Sequence, residues 1–250
     1  GVQDASALIR YLREYHEELR IDPNKIFLWG SSAGSFISLH LAFSDDSERP
    51  VSTYGGSSDP DLGCIDCEGN NYSHSSKPTA IVSCWGAIGD LDWIDAEDNV
   101  PTILFHGTSD IVVPYDEGFP FTINIALPTV YGSSKINEKL DQLGIANETH
   151  LEGGEGHEYW GSLNGTWVSG PNVYYDQIKL DSFNFLYNYL DINPEQMVGD
   201  INSDNIVNVL DLIQAVNYIL SNEYEIIADL NQDGELNVLD IVLYIDLIIL

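Results

Sequence analysis

A serine stands at the centre of a glycine-flanked segment, Gly30-Ser31-Ser32-Ala33-Gly34. The apolar run Ile26-Phe27-Leu28-Trp29 precedes this segment, and a helical pattern follows it. A sharp turn between a strand and a helix exposes a serine hydroxyl at the carboxyl edge of a sheet, where it can attack a carbonyl carbon. We expect both glycines to be required, because side chains there would clash. Ser32 is therefore the predicted nucleophile, with the Ala33 N–H as an oxyanion donor.

A serine hydroxyl needs a base to take its proton, and the base needs a carboxylate to orient it. In a strand–turn–helix context the chain order is serine, acid, histidine. Asp110 follows an apolar run at 102–106 and is the predicted acid, with Asp116 as the alternative; His157 follows the glycine-rich segment 152–156 and is the predicted base. We expect His106 to brace the acid's loop by hydrogen bonds. The remaining histidines are predicted to be structural: His16, His40, His74 and His150.

Two acidic segments near the C-terminus, 200–211 and 229–240, repeat one pattern with a period of 29 residues. Positions 1, 3, 5, 9 and 12 of a calcium loop are Asp200, Asn202, Asp204, Asn208 and Asp211 in the first copy, and Asp229, Asn231, Asp233, Asn237 and Asp240 in the second. Ile206 and Glu235 fall at position 7, which ligates through its backbone carbonyl. Asn205 and Gly234 fall at position 6, where the loop needs a left-handed residue. The pattern predicts two structural Ca²⁺ sites.

Strand and helix patterns alternate through the first 190 residues, which predicts a mostly parallel sheet flanked by helices. Strands are expected near 26–29, 80–85, 102–106 and 148–151, and helices near 4–20, 36–41, 134–143 and 174–190. The long polar segment 44–78 is expected to serve a function or to hold small elements of its own. Apolar helices at 209–220 and 238–249 follow the calcium loops, so the C-terminal part is predicted to be all-α. The predicted domains are 1–190 and 199–250, joined by a linker at 191–198.

The amino-acid composition argues against several classes of partner and site. Asp and Glu number 40 against 9 Lys and Arg, a formal net charge of −31. Such a surface repels nucleic acid and anionic membranes, so neither is an expected partner. No apolar run is long enough to span a membrane. The three cysteines cannot supply a four-ligand zinc site, so a structural disulfide among Cys64, Cys67 and Cys84 is expected, with its pairing left open.

Several of these motifs resemble known families. The run from Gly1 to Ala5, the stretch 21–26 and the segment 30–34 are similar to secreted carboxylesterases and feruloyl-esterase-like enzymes of the α/β-hydrolase superfamily. His106-Gly107-Thr108-Ser109-Asp110 and Gly156-His157 look like that family's acid and base segments. The resemblance covers about 1–190 and implies Ser32, Asp110 and His157 as nucleophile, acid and base. The two calcium repeats resemble a type I dockerin.

The chain departs from the family pattern at its start. The family places several strands and a His-Gly-Gly oxyanion loop before the first helix found here. The resemblance therefore implies an N-terminally truncated piece, with the second oxyanion donor upstream, an exposed sheet edge and poor activity. Aromatic residues are expected to flank the site as an apolar acyl or aryl pocket, or to be ordinary core residues: Trp85, Trp93, Tyr159, Trp160 and Trp167.

These expectations combine into one hypothesis. The protein is interpreted as a secreted serine esterase that cleaves carboxylic esters, with polysaccharide-linked esters as the expected substrates by analogy with enzymes that carry dockerins. The dockerin-like module is expected to bind a cohesin-like or cell-surface partner, although Val209-Leu210 and Val238-Leu239 are apolar at positions 10 and 11, where hydroxyl pairs are common. The alternatives are a serine peptidase or lipase of the same fold, and a catalytically silent, calcium-dependent adhesion protein.

Overall fold

A computed structural model describes residues 1–121, 127–167, 170–190, 198–204 and 206–249. The chain divides into two compact units, Gly1–Leu190 and Asp191–Leu250. Apart from Val198, the predicted linker at 191–198 lies outside the described residues, as does Asn205.

The first unit begins with helices α1 (Val2–Glu14) and α2 (His16–Leu19), strand β1 (Phe27–Ser31) and helix α3 (Ala33–Phe43). The following elements are β2 (Ala80–Cys84), β3 (Ala87–Ile88), β4 (Thr102–Gly107), β5 (Glu117–Gly118), β6 (Val130–Gly132), α4 (Ser133–Leu143), β7 (Asn147–Glu152), β8 (Ser162–Leu163), β9 (Thr166–Trp167) and α5 (Val173–Tyr187).

The main sheet has four parallel strands in the order β1-β2-β4-β7. Successive side chains of a strand point to opposite faces, and β2 shows this alternation. Ile81 packs on one face with residues of α3 and α4, whereas Ala80, Val82 and Cys84 pack on the other face with residues of α5. Because both faces are covered, every residue of β2 and β4 is buried, whereas the edge strand β7 is partly exposed. The predicted mostly parallel sheet with flanking helices is confirmed.

The first helical segment differs from its prediction. The pattern predicted one helix over 4–20, but α1 ends at Glu14 and a separate turn of helix, α2, follows Tyr15. Tyr15 turns its ring against Tyr72 of the long polar segment, with 3.1 Å between the two hydroxyl oxygens. This contact joins residues 57 positions apart, so helical periodicity could not reveal it.

The polar segment 44–78 is bound tightly to α1. It contains two short 3₁₀ turns, Asp46–Glu48 and Val51–Thr53. Arg10 is buried and donates to the Asp66 carboxylate at 2.6 Å and to the Glu68 carbonyl at 2.6 Å. Within this segment Cys64 pairs with Cys67, and Cys84 remains a buried thiol on β2. The open disulfide pairing is thereby assigned.

The second unit contains helices α6 (Val209–Ser221) and α7 (Val238–Ile249), each directly after one of the acidic segments. Its small core is formed by Ala215, Ala228 and Tyr244, with partly buried apolar side chains around them. The predicted helical character of this part is confirmed. Among the described residues of either unit, every helix is too short or too polar to span a bilayer.

Candidate active site and candidate calcium loops

Ser32 occupies a strained turn between β1 and α3. Its backbone has φ 52° and ψ −117°, a conformation that non-glycine residues rarely adopt. The Ser32 N–H donates to the carbonyl of Cys84 on β2 at 3.0 Å, so the sheet holds the turn in place. Helix α3 begins at Ala33, and the first N–H groups of a helix have no partner within it. The Ala33 N–H, directly after Ser32, therefore has no acceptor within the helix.

The two glycines of the turn have different roles. A Cβ atom on Gly30 would lie 2.3 Å from the Gly34 carbonyl oxygen and 2.4 Å from the Ser35 nitrogen, so the backbone leaves no room there. A Cβ on Gly34 would meet nothing within 4 Å. The expectation that both flanking glycines prevent a clash is thus wrong for Gly34. The close approach takes place at Gly30, against the backbone of the helix that begins after Ser32.

This difference gives a stability prediction. Gly30→Ala should lower the free energy of unfolding of the first unit by about 3 kcal/mol or more, because the new methyl group must displace backbone. Gly34→Ala should leave it unchanged or raise it by about 0.5–1 kcal/mol, since alanine is the better helix former. Urea unfolding followed by tryptophan fluorescence measures both, because all five tryptophans lie in 1–190. Equal destabilisation by the two variants would contradict the assignment.

The structure brings the three predicted side chains together. The His157 Nε2 atom lies 2.9 Å from the Ser32 Oγ atom, and its Nδ1 atom lies 2.7 Å from Asp110 Oδ2. An ionised carboxylate only accepts hydrogen bonds, so the Nδ1 atom carries a proton and donates a hydrogen bond to Asp110. The Nε2 atom then has the free lone pair that faces the serine hydroxyl. This arrangement can remove the hydroxyl proton as the oxygen attacks a carbonyl carbon.

The Asp110 carboxylate is held by several donors. Its Oδ1 atom accepts from the N–H groups of Val112 and Val113 at 2.7 and 2.9 Å. Burial alone would raise the pKa of the Asp110 carboxyl, but hydrogen bonds from His106, His157 and Val113 outweigh it and hold the pKa well below its usual range. Asp110 is therefore ionised in the folded protein near neutral pH.

His106 braces this carboxylate. It is fully buried, and its Nε2 atom lies 3.3 Å from Asp110 Oδ2 and 3.1 Å from the carbonyl oxygen of Val113. Both oxygens only accept, so Nε2 carries the proton, and Nδ1 faces the Ser133 hydroxyl at 2.9 Å. The expected bracing role is confirmed by these contacts. The alternative acid, Asp116, instead lies 3.5 Å from Lys135.

The acid and base loops are fastened to each other, which the sequence did not indicate. The Ser109 N–H donates to the Glu155 carbonyl at 2.8 Å, and the Gly154 N–H donates to Thr108 Oγ1 at 2.9 Å. A Cβ on Gly107 would lie 2.3 Å from the Glu155 carbonyl oxygen, so glycine is required for this approach. The glycine after His106 was visible in the sequence, but its partner loop lies more than 40 residues away.

Of the two alternatives for the aromatic residues, a pocket or the core, the structure shows core packing for Trp85 and Tyr159, which belong to one buried cluster. Trp85 is fully buried and its Nε1 donates to the Ser31 hydroxyl at 2.9 Å, next to the nucleophile. Tyr159, Trp160 and Trp167 continue from Trp85 as one cluster of rings. Trp93 is not part of this cluster; its ring packs against His40, with 5.4 Å between the ring centroids.

The other histidines make structural contacts. The Nδ1 atoms of His16 and His40 bond to backbone carbonyls of Arg13 and Phe36. Burial lowers the pKa of His40, and the bond to Phe36 acts in the opposite direction. His74 pairs with Glu14 at 2.9 Å on the surface. His150 pairs with Glu148 at 2.6 Å.

The two acidic loops of the second unit form equivalent internal hydrogen bonds at equivalent positions. In the first loop the Asp211 carboxylate accepts from the N–H groups of Asn202 and Asn208, at 3.1 and 2.9 Å. In the second, Asp240 accepts from those of Asn231 and Asn237, at 3.2 and 2.9 Å. Gly234 has φ 80°, the left-handed conformation expected at position 6.

The remaining predicted ligands lie in the same two loops. Asp200 and Asn202 accept from the Asp204 N–H, as Asp229 and Asn231 accept from the Asp233 N–H. Asp204 and Asp233 accept from the N–H groups of the position-7 residues, Ile206 and Glu235. The position-1 and position-12 aspartates are at most 2% exposed: Asp200, Asp211, Asp229 and Asp240. The sequence repeat is therefore also a repeat of local structure.

The donor set of these loops fits calcium. Residues 198–250 include ten Asp and Glu and no Lys, Arg or His. A buried carboxylate that no cation neutralises costs free energy of folding. This part of the sequence contains no cationic side chain. Ca²⁺ prefers six to eight oxygen ligands, which alternating Asp and Asn side chains supply.

The parallel sheet, the turn at Ser32 and the Ser32–His157–Asp110 contacts define the first unit as an α/β-hydrolase fold. In agreement, residues 1–95 match the family model described as BD-FAE, and residues 198–249 match that of the Dockerin type I domain. The predicted resemblances to an esterase of this fold and to a type I dockerin are confirmed. Type I dockerin domains bind calcium, in keeping with the donor set. No curated protein sequence matches the chain.

Solved esterases share the fold. A thermophilic esterase from the Planctomycetes species Thermogutta terrifontis, Est2, has a TM-score of 0.51 and 20% identity, covering 78% of this chain and 65% of that chain. The same esterase phosphorylated by paraoxon gives 0.51 and 21%, covering 77% and 65%. A truncated carbohydrate esterase from gut microbiota gives 0.50 and 21%, covering 75% and 67%. This chain thus spans about two-thirds of the length of these esterases.

Proposed function

We propose that the protein is a serine hydrolase that cleaves carboxylic esters through an acyl-enzyme on Ser32. His157 takes the Ser32 proton during attack and returns it to the leaving alcohol. Asp110 holds the His157 tautomer and stabilises the imidazolium that forms. The Ala33 N–H, at the start of α3, stabilises the oxyanion of the tetrahedral intermediate. Attack forms the Ser32–acyl bond and releases the alcohol; water then attacks that ester and releases the acid.

The observation that carries this proposal is the position of His157. Its two ring nitrogens lie within 2.9 Å of a strained serine and 2.7 Å of a buried carboxylate, residues that are far apart in the sequence. The BD-FAE match over 1–95 supports an ester as the substrate rather than a peptide. Ester-substituted neutral polysaccharides are the proposed substrates. The protein is proposed to act outside the cell or at the cell surface.

The second unit is proposed to bind two structural Ca²⁺ ions and to attach the enzyme to a cohesin-like or cell-surface protein. The burial of four aspartates in loops without a basic residue supports the two ion sites. The apolar pairs at positions 10 and 11 support attachment, because they are more than half exposed: Val209 and Leu210, Val238 and Leu239. Chelation tests this part separately from hydrolysis.

The assignment of the acid is tested by two asparagine variants. Asp110→Asn should lower kcat for p-nitrophenyl acetate by about 10⁴-fold, because the amide favours the wrong His157 tautomer. Asp116→Asn should leave the rate near that of the parent, since Asp116 pairs with Lys135. A rate in Asp110→Asn equal to the parent's, or a larger loss in Asp116→Asn, would contradict the role given to Asp110.

A further inference from the structure

The second acidic loop receives a side-chain hydrogen bond from outside the segment 229–240. The Tyr224 hydroxyl lies 2.9 Å from Oδ2 of Asp229, the residue at position 1 of that loop. A phenol keeps its proton near neutral pH and an ionised carboxylate only accepts, so Tyr224 donates this bond. The same oxygen accepts from the Gly234 N–H at 2.9 Å, and Oδ1 accepts from the Asp233 N–H at 3.3 Å. Three donors thus hold a carboxylate whose residue is 2% exposed.

These bonds orient Asp229 and leave it able to ligate an ion. A carboxylate has about four lone-pair positions. Among the contacts of the described residues, the three donors use three of these positions, and the one that remains is on Oδ1. Hydrogen-bond donors behind a ligating carboxylate fix its orientation, and their removal typically lowers metal affinity about 10- to 100-fold. The Tyr224 hydroxyl is such a donor.

The end of helix α6 places Tyr224. Asn222, the residue after α6, has φ 58°, and the Glu223 N–H donates to the Tyr218 carbonyl at 2.9 Å. A left-handed residue with this bond ends a helix and turns the chain away from its axis. Tyr224 follows this turn and lies five residues before Asp229. The end of the helix that follows the first loop is thereby bonded to the second loop.

The bond to Asp229 is a property of the second loop in particular. The residue 29 positions before Tyr224 is Glu195, so the hydroxyl is not part of the sequence repeat. Tyr224 is 52% exposed, and the core of the second unit is formed by other residues. Substitutions of exposed residues usually change stability little. An effect of removing the hydroxyl is therefore expected through Asp229.

We propose that Tyr224 is a positioning residue of the second ion site, whose hydroxyl holds the Asp229 carboxylate for Ca²⁺ and raises the calcium affinity of that loop. This inference rests on the calcium sites proposed above and concerns the second one alone. The calcium affinity of such loops depends on the charge of the ligands and on the rigidity of the site. Tyr224 adds rigidity without adding charge.

Tyr224→Phe removes the hydroxyl and keeps the ring. The far-UV CD signal of the full chain is followed while Ca²⁺ is added to calcium-depleted protein. A second site that binds 10- to 100-fold more weakly should raise the midpoint of this titration about three- to tenfold. The factor is a square root because folding takes up two ions, so the midpoint follows the product of two dissociation constants. In excess Ca²⁺ the signal should equal the parent's.

Tyr218→Phe is the matched control. Tyr218 is a half-buried tyrosine of the same unit and lies on α6, outside both loops. Its variant should have the parent's midpoint.

Variants at position 1 of each loop show whether the hydroxyl acts through Asp229. In the Asp200→Asn protein, Tyr224→Phe should raise the midpoint by the same factor as in the parent. In the Asp229→Asn protein the factor should be clearly smaller, because a hydrogen bond to an uncharged amide oxygen is weaker than one to a carboxylate. A destabilisation spread over the whole unit would give the same factor in both proteins.

Three results would overturn the proposal. They are equal midpoints for Tyr224→Phe and the parent, equal factors in the Asp200→Asn and Asp229→Asn proteins, and a Tyr224→Phe signal that stays below the parent's in excess Ca²⁺. The last result would assign the hydroxyl to folding rather than to ion binding. Failure of the calcium sites themselves has a different signature, because the CD signal of the parent would then not respond to Ca²⁺, and both proposals would fall.

Discussion

Ser32→Ala should lower kcat for p-nitrophenyl acetate by about 10⁶-fold, and His157→Ala should do nearly the same. The two residues act as one unit, because the Ser32 oxygen is a poor nucleophile until His157 takes its proton. The double variant should therefore be no slower than either single variant. Initial rates at saturating substrate, measured with each variant, give the comparison.

Neighbouring side chains of the same types provide the controls. Ser31→Ala removes a hydroxyl one residue from the nucleophile, where it accepts a hydrogen bond from Trp85. His150→Ala removes an imidazole that pairs with Glu148 on β7. Both proteins should keep most of the parent's rate. Additive losses in the double variant of Ser32 and His157 would show that the two residues do not act on the same proton.

Removal of calcium should unfold the second unit and leave the first folded. Without ions the four buried aspartates repel one another, and no basic side chain in 198–250 can compensate. In EDTA the far-UV CD signal should lose the contribution of α6 and α7, which contain 13 and 12 residues. Excess Ca²⁺ should restore it, because ions that bind only the folded state stabilise that state.

Two features make this experiment specific. Tryptophan fluorescence reports only the first unit, since 198–250 contains no tryptophan, and it should not change in EDTA. Asp211→Asn and Asp240→Asn should each raise the calcium concentration needed for folding, whereas Asp246→Asn, on α7 outside both loops, should not. A CD signal that is the same in EDTA and in Ca²⁺ would count against the proposed ion sites.

The sequence predicted most of the architecture because its signals are local. The buried parallel strands β2 and β4 are mostly apolar and therefore stand out, as does the apolar run at 26–29 that leads into β1. Strands β1, β4 and β7 each run one or two residues past the expected end. The turn at Ser32 is recognisable because nucleophile, glycine and flanking elements are contiguous. The calcium loops repeat every ligand position, and their helices begin at the predicted residues, Val209 and Val238.

Other features depend on contacts between distant residues, and no local pattern contains them. The roles of Gly30 and Gly34 look the same in the motif, yet only Gly30 faces backbone. The hydrogen bond from the Ser109 N–H to the Glu155 carbonyl joins the acid loop to the base loop, and the Gly165 N–H donates to the Glu158 carboxylate. Both contacts involve backbone groups, which carry no sequence signature. Trp85 and Trp93 are both aromatic residues of the segment before the acid loop, and the sequence does not distinguish them. Only the packing shows that Trp85 contacts Ser31, whereas Trp93 contacts His40.

Covalent labelling tests most directly whether Ser32 is the nucleophile that His157 activates. The protein is incubated with the organophosphate paraoxon, and mass spectrometry of its peptides locates the diethylphosphoryl group. The account predicts one such group, on Ser32, with labelling strongly slowed in His157→Ala and unaffected by Ser31→Ala. A phosphoryl group on another residue, or labelling of Ser32 at the parent's rate in His157→Ala, would contradict it.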